Sequence, residues 1–214
     1  MTAIARVAAG LCGLVIVIGG VSLRAGIGRA RLGEIQLGTN PSAVQALLRD
    51  QIVVRAARLA LRIDYFFLAA YWAAFVTLAV LVFHRGATWT VLAVATWLAA
   101  TATAALDVTE NLRTTAILDL DRRGEQLTQA PLDALRHVSL AKWAASAVTV
   151  ALLSAVYARH GWWSLPAIAA FLLVASIGLA GLYRHALIDW FLRAVAAISF
   201  ASAIVLQVDP TLVR

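Results

Sequence analysis

Apolar residues in this chain gather into runs too long for a water-soluble core and too continuous for alternating strands. Six stretches, 7–23, 65–83, 87–106, 138–158, 162–183 and 186–206, approach the roughly 20 apolar residues needed to cross about 30 Å of hydrocarbon. They predict an all-α, polytopic transmembrane helix bundle of about six spans, forming a single integral-membrane domain over residues 1–214. Short polar turns, His84-Arg85-Gly86 and Arg159-His160-Gly161, join spans two to three and four to five. Aromatic residues punctuate the run ends, with Trp89, Trp162 and Trp163 at one predicted interface. Tyr65, Phe66, Trp143, Tyr183 and Trp190 mark the other, as in the aromatic belts of membrane spans. Asp189 and Arg193, four residues apart in the last run, are spaced to pair on one helix face.

The polar interval between the first two runs predicts a further helix over 41–63. Asn40 is suited to cap it and Pro41 to occupy its first position. No glycine or proline then interrupts the chain before the second span. Gln51, Arg55, Arg58 and Arg62 form one stripe, and Val44, Leu48, Ile52, Leu59 and Ile63 another. That pattern predicts a cytoplasmic amphipathic helix lying on the leaflet with its arginines on lipid phosphates. A sharper reading makes Arg55 and Arg58 binding groups for the anionic headgroup of a substrate. The stretch 119–125 reads as a solvated turn.

Composition agrees with the pattern: 62% of residues are hydrophobic, 14% are charged and the mean hydropathy is +0.85. A soluble domain carries about 25% charged residues. The net charge is +7, and arginine supplies all the basic residues except Lys142. Their distribution sets an orientation. Fourteen of the 18 fall on one predicted side, leaving Arg6, Arg85, Arg159 and Arg214 opposite. The positive-inside rule makes the rich side cytoplasmic and both termini external. A basic balance of this kind points to anionic lipid headgroups as partners rather than nucleic acid. The preponderance of alanine and arginine suggests a GC-rich bacterial genome, hence the bacterial inner membrane. Arg6 precedes the first run as in a secretory signal, but no small-x-small site stands before Arg24, so a retained span is expected. Cys12 is alone within an apolar run, which leaves neither a disulfide framework nor a cysteine metal site.

Antiparallel spans bring distant polar residues to one membrane face. Asp64 opens span two, and Asp107, Glu110 and Asn111 close span three at i, i+3 and i+4 on one helical face. Lys142 opens span four. Ionisable residues at that depth pair, face a cavity or mark function. Thr96 and Thr103 continue inward from Asp107, and Ser139, Ser146 and Thr149 surround Lys142, so these faces are expected to meet inside the bundle. Three chemistries fit. Asp64, Asp107 and Glu110 are hard oxygen ligands for a divalent cation. Crowded carboxylates also raise one another's pKa, giving a proton site for acid–base catalysis or coupled transport. A satisfied polar network that locks the spans is the third. The candidate catalytic set is Asp107, Glu110 and Lys142, with Asp64 and Asn111 as binding groups. Lys142 is singled out because an amine titrates where arginine does not, although snorkelling would also account for it. Haem is disfavoured: His137 and His160 bracket span four, about 34 Å apart along a helix, at or beyond the hydrocarbon edges.

The functional expectation is a polar pocket at the cytoplasmic leaflet that binds or processes a lipid or another amphipathic small molecule. The alternatives are a proton- or cation-coupled small transporter, and an accessory subunit docked on a membrane-protein partner or a second copy. Glu34-Ile35-Gln36-Leu37, Asp64-Tyr65-Phe66-Phe67 with Tyr71, Leu106-Asp107-Val108-Thr109-Glu110-Asn111 and Lys142-Trp143 together resemble a pattern of bacterial multi-pass membrane proteins without an assigned activity. The resemblance covers roughly the first 145 residues and implies only that the same polar residues belong together.

The orientation is tested by alkaline phosphatase fusions. Fusions after residue 86 or 160 are expected to be active and those near residue 125 silent, and the reverse pattern would move the polar cluster outside.

Overall fold

A computed structural model of the chain describes residues 2–24, 27–83, 87–158, 164–184 and 186–208. It is an all-α polytopic bundle of α1 (Thr2–Arg24), α2 (Ile27–Gln36), α3 (Pro41–Arg49), α4 (Gln51–Phe83), α5 (Ala87–Leu120), α6 (Gln129–Leu153), α7 (Ser164–Gly181) and α8 (Ala186–Val208). Five described helical segments are long and apolar enough to cross a membrane, in α4, α5, α6, α7 and α8, and a shorter apolar stretch, Ala3–Gly19, lies in α1. The chain is thus a multi-pass membrane protein. The turns at 84–86 and 159–161, with Trp162 and Trp163, lie outside the described residues, as does the side chain of Asp189 expected to pair with Arg193. Arg193 lies over the Trp190 ring, 5.5 Å from its centroid.

Two compact units emerge. One comprises Met1–Val17, Ala69–Ala104 and Trp143–Arg214, and the other Ile18–Leu68 and Ala105–Lys142. In the first, α7 and α8 pack closely because Gly178 carries no Cβ: one added there would come within 2.8 Å of the Phe191 ring. Small residues at helix contacts let backbones approach in lipid, where burial of apolar surface drives nothing. Phe191 in turn receives the edge of Trp143, and the Tyr157 hydroxyl is 2.6 Å from Ser202 Oγ. The expected meeting of polar stripes is present here as well: Thr103 Oγ1 and Thr149 Oγ1 lie 3.2 Å apart, both residues buried.

The second unit is a small helical domain with its own core, in which Ile35 of α2, Leu48 of α3, Ala57 and Leu61 of α4, Leu118 of α5 and Leu132 of α6 meet. Asn40 caps α3 as its sequence position predicts, its side chain accepting from the Ser42 and Ala43 amides at 3.0 and 3.4 Å. The helix expected over 41–63 does not run unbroken, however. It stops at Asp50, whose Oδ1 accepts from the Ile52 and Val53 amides at 2.8 and 3.4 Å and so begins α4. An aspartate that caps the following helix competes with continuing the previous one. No glycine or proline is required for the break, so the sequence pattern carries no sign of it.

A second difference follows from length. α4 has 33 residues, about 50 Å at 1.5 Å per residue. Residues 51–63 are therefore the first turns of a spanning helix. The apolar stripe divides: Val44 and Leu48 of α3 are buried, Ile52 and Leu59 of α4 are exposed, and α4 packs inward through Val54, Ala57 and Leu61. α5 likewise continues past its expected end near residue 106 to Leu120. The predicted 119–125 turn follows it as a short 3-10 turn, Asp121–Arg123, closed by Gly124 in the left-handed region at φ 68°.

Where α2 hands over to α3, a Cβ at Gly38 would stand 2.6 Å from Val44 Cγ2 and 2.8 Å from the Glu34 carbonyl oxygen. The side chain can yield but the backbone oxygen, held in α2, cannot do so freely. Gly38→Ala is expected to destabilise the protein by about 1–3 kcal/mol, seen as a lower Tm of the full-length chain in detergent. An unchanged Tm would mean that the α2–α3 junction opens to admit the methyl group without cost.

Candidate functional site

The second unit carries the polar residues that the sequence groups. Asp107, Glu110, Asn111 and Thr114 recur on α5 at i, i+3, i+4 and i+7, so they share one face, and every one of them is buried. Facing them are Asp64 from α4 and Lys142 and Ser139 from α6, with Gln36 from the end of α2. Asn111 Nδ2 donates to Asp64 Oδ2 at 2.8 Å. Lys142 Nζ is 3.1 Å from Asp107 Oδ1 and also donates to Glu110 Oε2 in close contact. One ammonium is therefore shared by two carboxylates on adjacent turns of α5.

Burial makes the sharing consequential. Glu110 is 1% exposed, Asp107 5% and Lys142 8%. Removing an ion from water costs several kcal/mol even after relaxation, and only close partners and full hydrogen bonding recover it. Here that recovery is partial. Glu110 Oε1 and Asn111 Oδ1 are both buried and have no hydrogen-bond partner among the described residues. Unsatisfied buried acceptors are rare in native proteins and require a reason. A proton, a water molecule or a cation would each supply what the oxygens lack.

The structure brings together every member of the expected cluster from α4, α5 and α6. Its geometry differs from the expected three-carboxylate cation site. Among the described residues no group of three His, Cys, Asp or Glu side chains converges to hold a metal ion. The ammonium of Lys142 lies where a cation bridging Asp107 and Glu110 would sit, and Asp64 is engaged by the Asn111 amide. A cavity lies in the first unit. It is an apolar space lined by residues that include Cys12, Phe75, Leu78, Val150 and Phe171, none of them a member of the cluster.

Arg55 and Arg58 part company. Arg55 is exposed, whereas Arg58 turns inward to donate to Asp119 Oδ1 at 2.6 Å and to the Leu118 carbonyl at 3.0 Å. Arg58 thus fastens the start of α4 to the end of α5. The reason lies in helix geometry: 55 and 62 are seven residues apart and nearly eclipsed, while 58 is rotated about 60° from 55 toward the packed side. The sequence pattern places Asp119 in a solvated turn and so misses its part in this contact. Thr114 is also missed, although it extends the same polar face: Gln36 Nε2 donates to Thr114 Oγ1 at 3.5 Å, and the Gln36 backbone carbonyl accepts from Ser139 Oγ at 3.5 Å. Thr114, seven residues after Asp107, carries the periodic signal that would include it.

Comparison with protein-family profiles, curated proteins and solved structures finds no match.

The shared ammonium gives an asymmetric stability prediction. Lys142→Met leaves two buried carboxylates without their cation and is expected to cost about 3–5 kcal/mol. Glu110→Gln leaves Lys142 paired with Asp107 and is expected to change stability by about 1 kcal/mol or less. The triple variant Asp107→Asn, Glu110→Gln, Lys142→Met should recover much of the Lys142→Met loss. Thermal denaturation of the full-length variants in detergent reads all three, and equal losses for Lys142→Met and Glu110→Gln would refute the sharing.

Proposed function

We propose that this chain is a proton-linked membrane protein in which Glu110 takes up and releases the proton. The reading is carried by one observation: Glu110 is almost wholly buried, one of its oxygens has no donor among the described residues, and the ammonium on its other oxygen is shared with Asp107. When Glu110 is ionised, Lys142 balances one of the two carboxylates it touches. When Glu110 gains a proton at Oε1 it becomes neutral, and the Lys142–Asp107 pair remains balanced. The two states differ by one proton and little movement. Asn111 and Asp64 position the face of α5 that bears the two carboxylates.

Proton translocation is favoured over lipid processing because the polar groups of the cluster engage one another, Lys142 with Asp107 and Glu110 and Asn111 with Asp64. The basic residues support a bacterial inner-membrane setting in which the cluster lies toward the cytoplasm: unit two holds the arginine-rich connections, which the positive-inside rule retains on that side.

The test is proton movement in proteoliposomes loaded with a pH-sensitive dye. An inside-negative potential set by valinomycin and a potassium gradient should acidify vesicles holding the wild-type chain faster than empty vesicles. Glu110→Gln should return the rate to that of empty vesicles, and Asp64→Asn should lower it less. A wild-type rate equal to that of empty vesicles would refute proton translocation.

A further inference from the structure

A separate feature, independent of the proton reading, lies on the outer face of α4. Ile52, Arg55, Leu59, Arg62 and Phe66 follow one another at spacings of three and four, so they form a single stripe. All five are exposed, with Ile52 at 74%, Leu59 at 53% and Phe66 at 70%. The opposite side of the same helix is committed to the core of the second unit through Val54, Ala57 and Leu61, and Arg58 is held by Asp119. The stripe is thus what α4 leaves to its surroundings, and it alternates large apolar side chains with guanidinium groups.

We infer that this stripe binds an anionic phospholipid, with Arg62 on the phosphate and an acyl chain along Phe66. The length of α4 fixes the depth. Counting back from Phe83, the roughly 20 residues that fill about 30 Å of hydrocarbon end at Asp64. Arg62 is therefore the first charged residue on this face at the hydrocarbon edge, with Phe66 one turn within. Helical side chains lean toward the helix N-terminus, which directs the Arg62 guanidinium outward to phosphate level while its stem covers apolar surface. Leu59 stands one turn above and shields the phosphate contact from water. Arg55, about 10 Å beyond Arg62, reaches only the outer part of the headgroup and has the smaller effect. A protein partner would be expected to meet these guanidinium groups with acidic side chains; in the membrane the abundant anion at this depth is phosphate.

The experiment is native mass spectrometry of the full-length, delipidated protein in detergent, titrated with phosphatidylglycerol or phosphatidylcholine. The wild type is expected to bind phosphatidylglycerol in preference. Arg62→Gln should reduce that preference about fivefold, as loss of one arginine near a charged leaflet implies, and Arg55→Gln should reduce it less. The double variant Arg122→Gln, Arg123→Gln removes two charges from the 3-10 turn and should retain the preference, which separates the site from net charge. Because Arg62 is exposed, its replacement is expected to leave the Tm unchanged. Equal binding of the two lipids by the wild type would overturn the inference, as would an equal loss in the turn variant. So would a detergent-stable dimer that Leu59→Asp converts to monomer, since the stripe would then be a contact between two copies.

Discussion

One ammonium between two buried carboxylates is the constraint on which the second unit depends. Lys142 arrives from α6 and meets Asp107 and Glu110 on successive turns of α5. Without it, two carboxylates would sit out of water on one helix face and would have to stay charged without a partner or take up protons. With it, the face is still not fully satisfied, because Glu110 Oε1 and Asn111 Oδ1 lack donors among the described residues. Apolar side chains of similar volume would join the helices at least as well, and it is on that remainder that the proposed proton role of Glu110 rests.

Around that constraint the other contacts act as supports. Asp64 receives the Asn111 amide and so links α4 to the cluster face. Gln36 bonds to Thr114 and Ser139 at the next level, linking α2 to α5 and α6. Farther along, Arg58 holds Asp119, and the Leu127 amide donates to Gln45 Oε1 at 2.7 Å. Each polar bond joins helices that also share the apolar core, so the positions of the charged side chains are fixed by packing as well as by charge. Such over-determination holds a buried carboxylate in one geometry through a change of protonation.

The spans, the Asn40 cap and the membership of the cluster are legible in the sequence, because each rests on a strong local signal. Apolar runs of spanning length seldom occur outside membranes, and carboxylates at i, i+3 and i+4 must share a face. What is not legible depends on side-chain direction or on competition between neighbours. The break at Asp50 arises from a capping bond that a pattern of hydrophobicity does not register. The inward turn of Arg58 depends on Asp119, which is 61 residues away and carries no mark of pairing. Ile52 and Leu59 are exposed, as a lipid-facing stripe requires, whereas the side of α4 that packs inward, Val54, Ala57 and Leu61, follows from contacts with other helices that the stripe pattern does not register. The convergence on Lys142 follows from the sequence, whereas its division between two carboxylates becomes visible only in three dimensions.

The claim that Glu110 is the proton-exchanging group is tested most directly by pH-difference infrared spectroscopy of the full-length protein in lipid. The account predicts a protonated-carboxyl stretch that grows as the pH falls in the wild type, is missing in Glu110→Gln and persists in Asp64→Asn. The same titrating band in Glu110→Gln as in the wild type would contradict it.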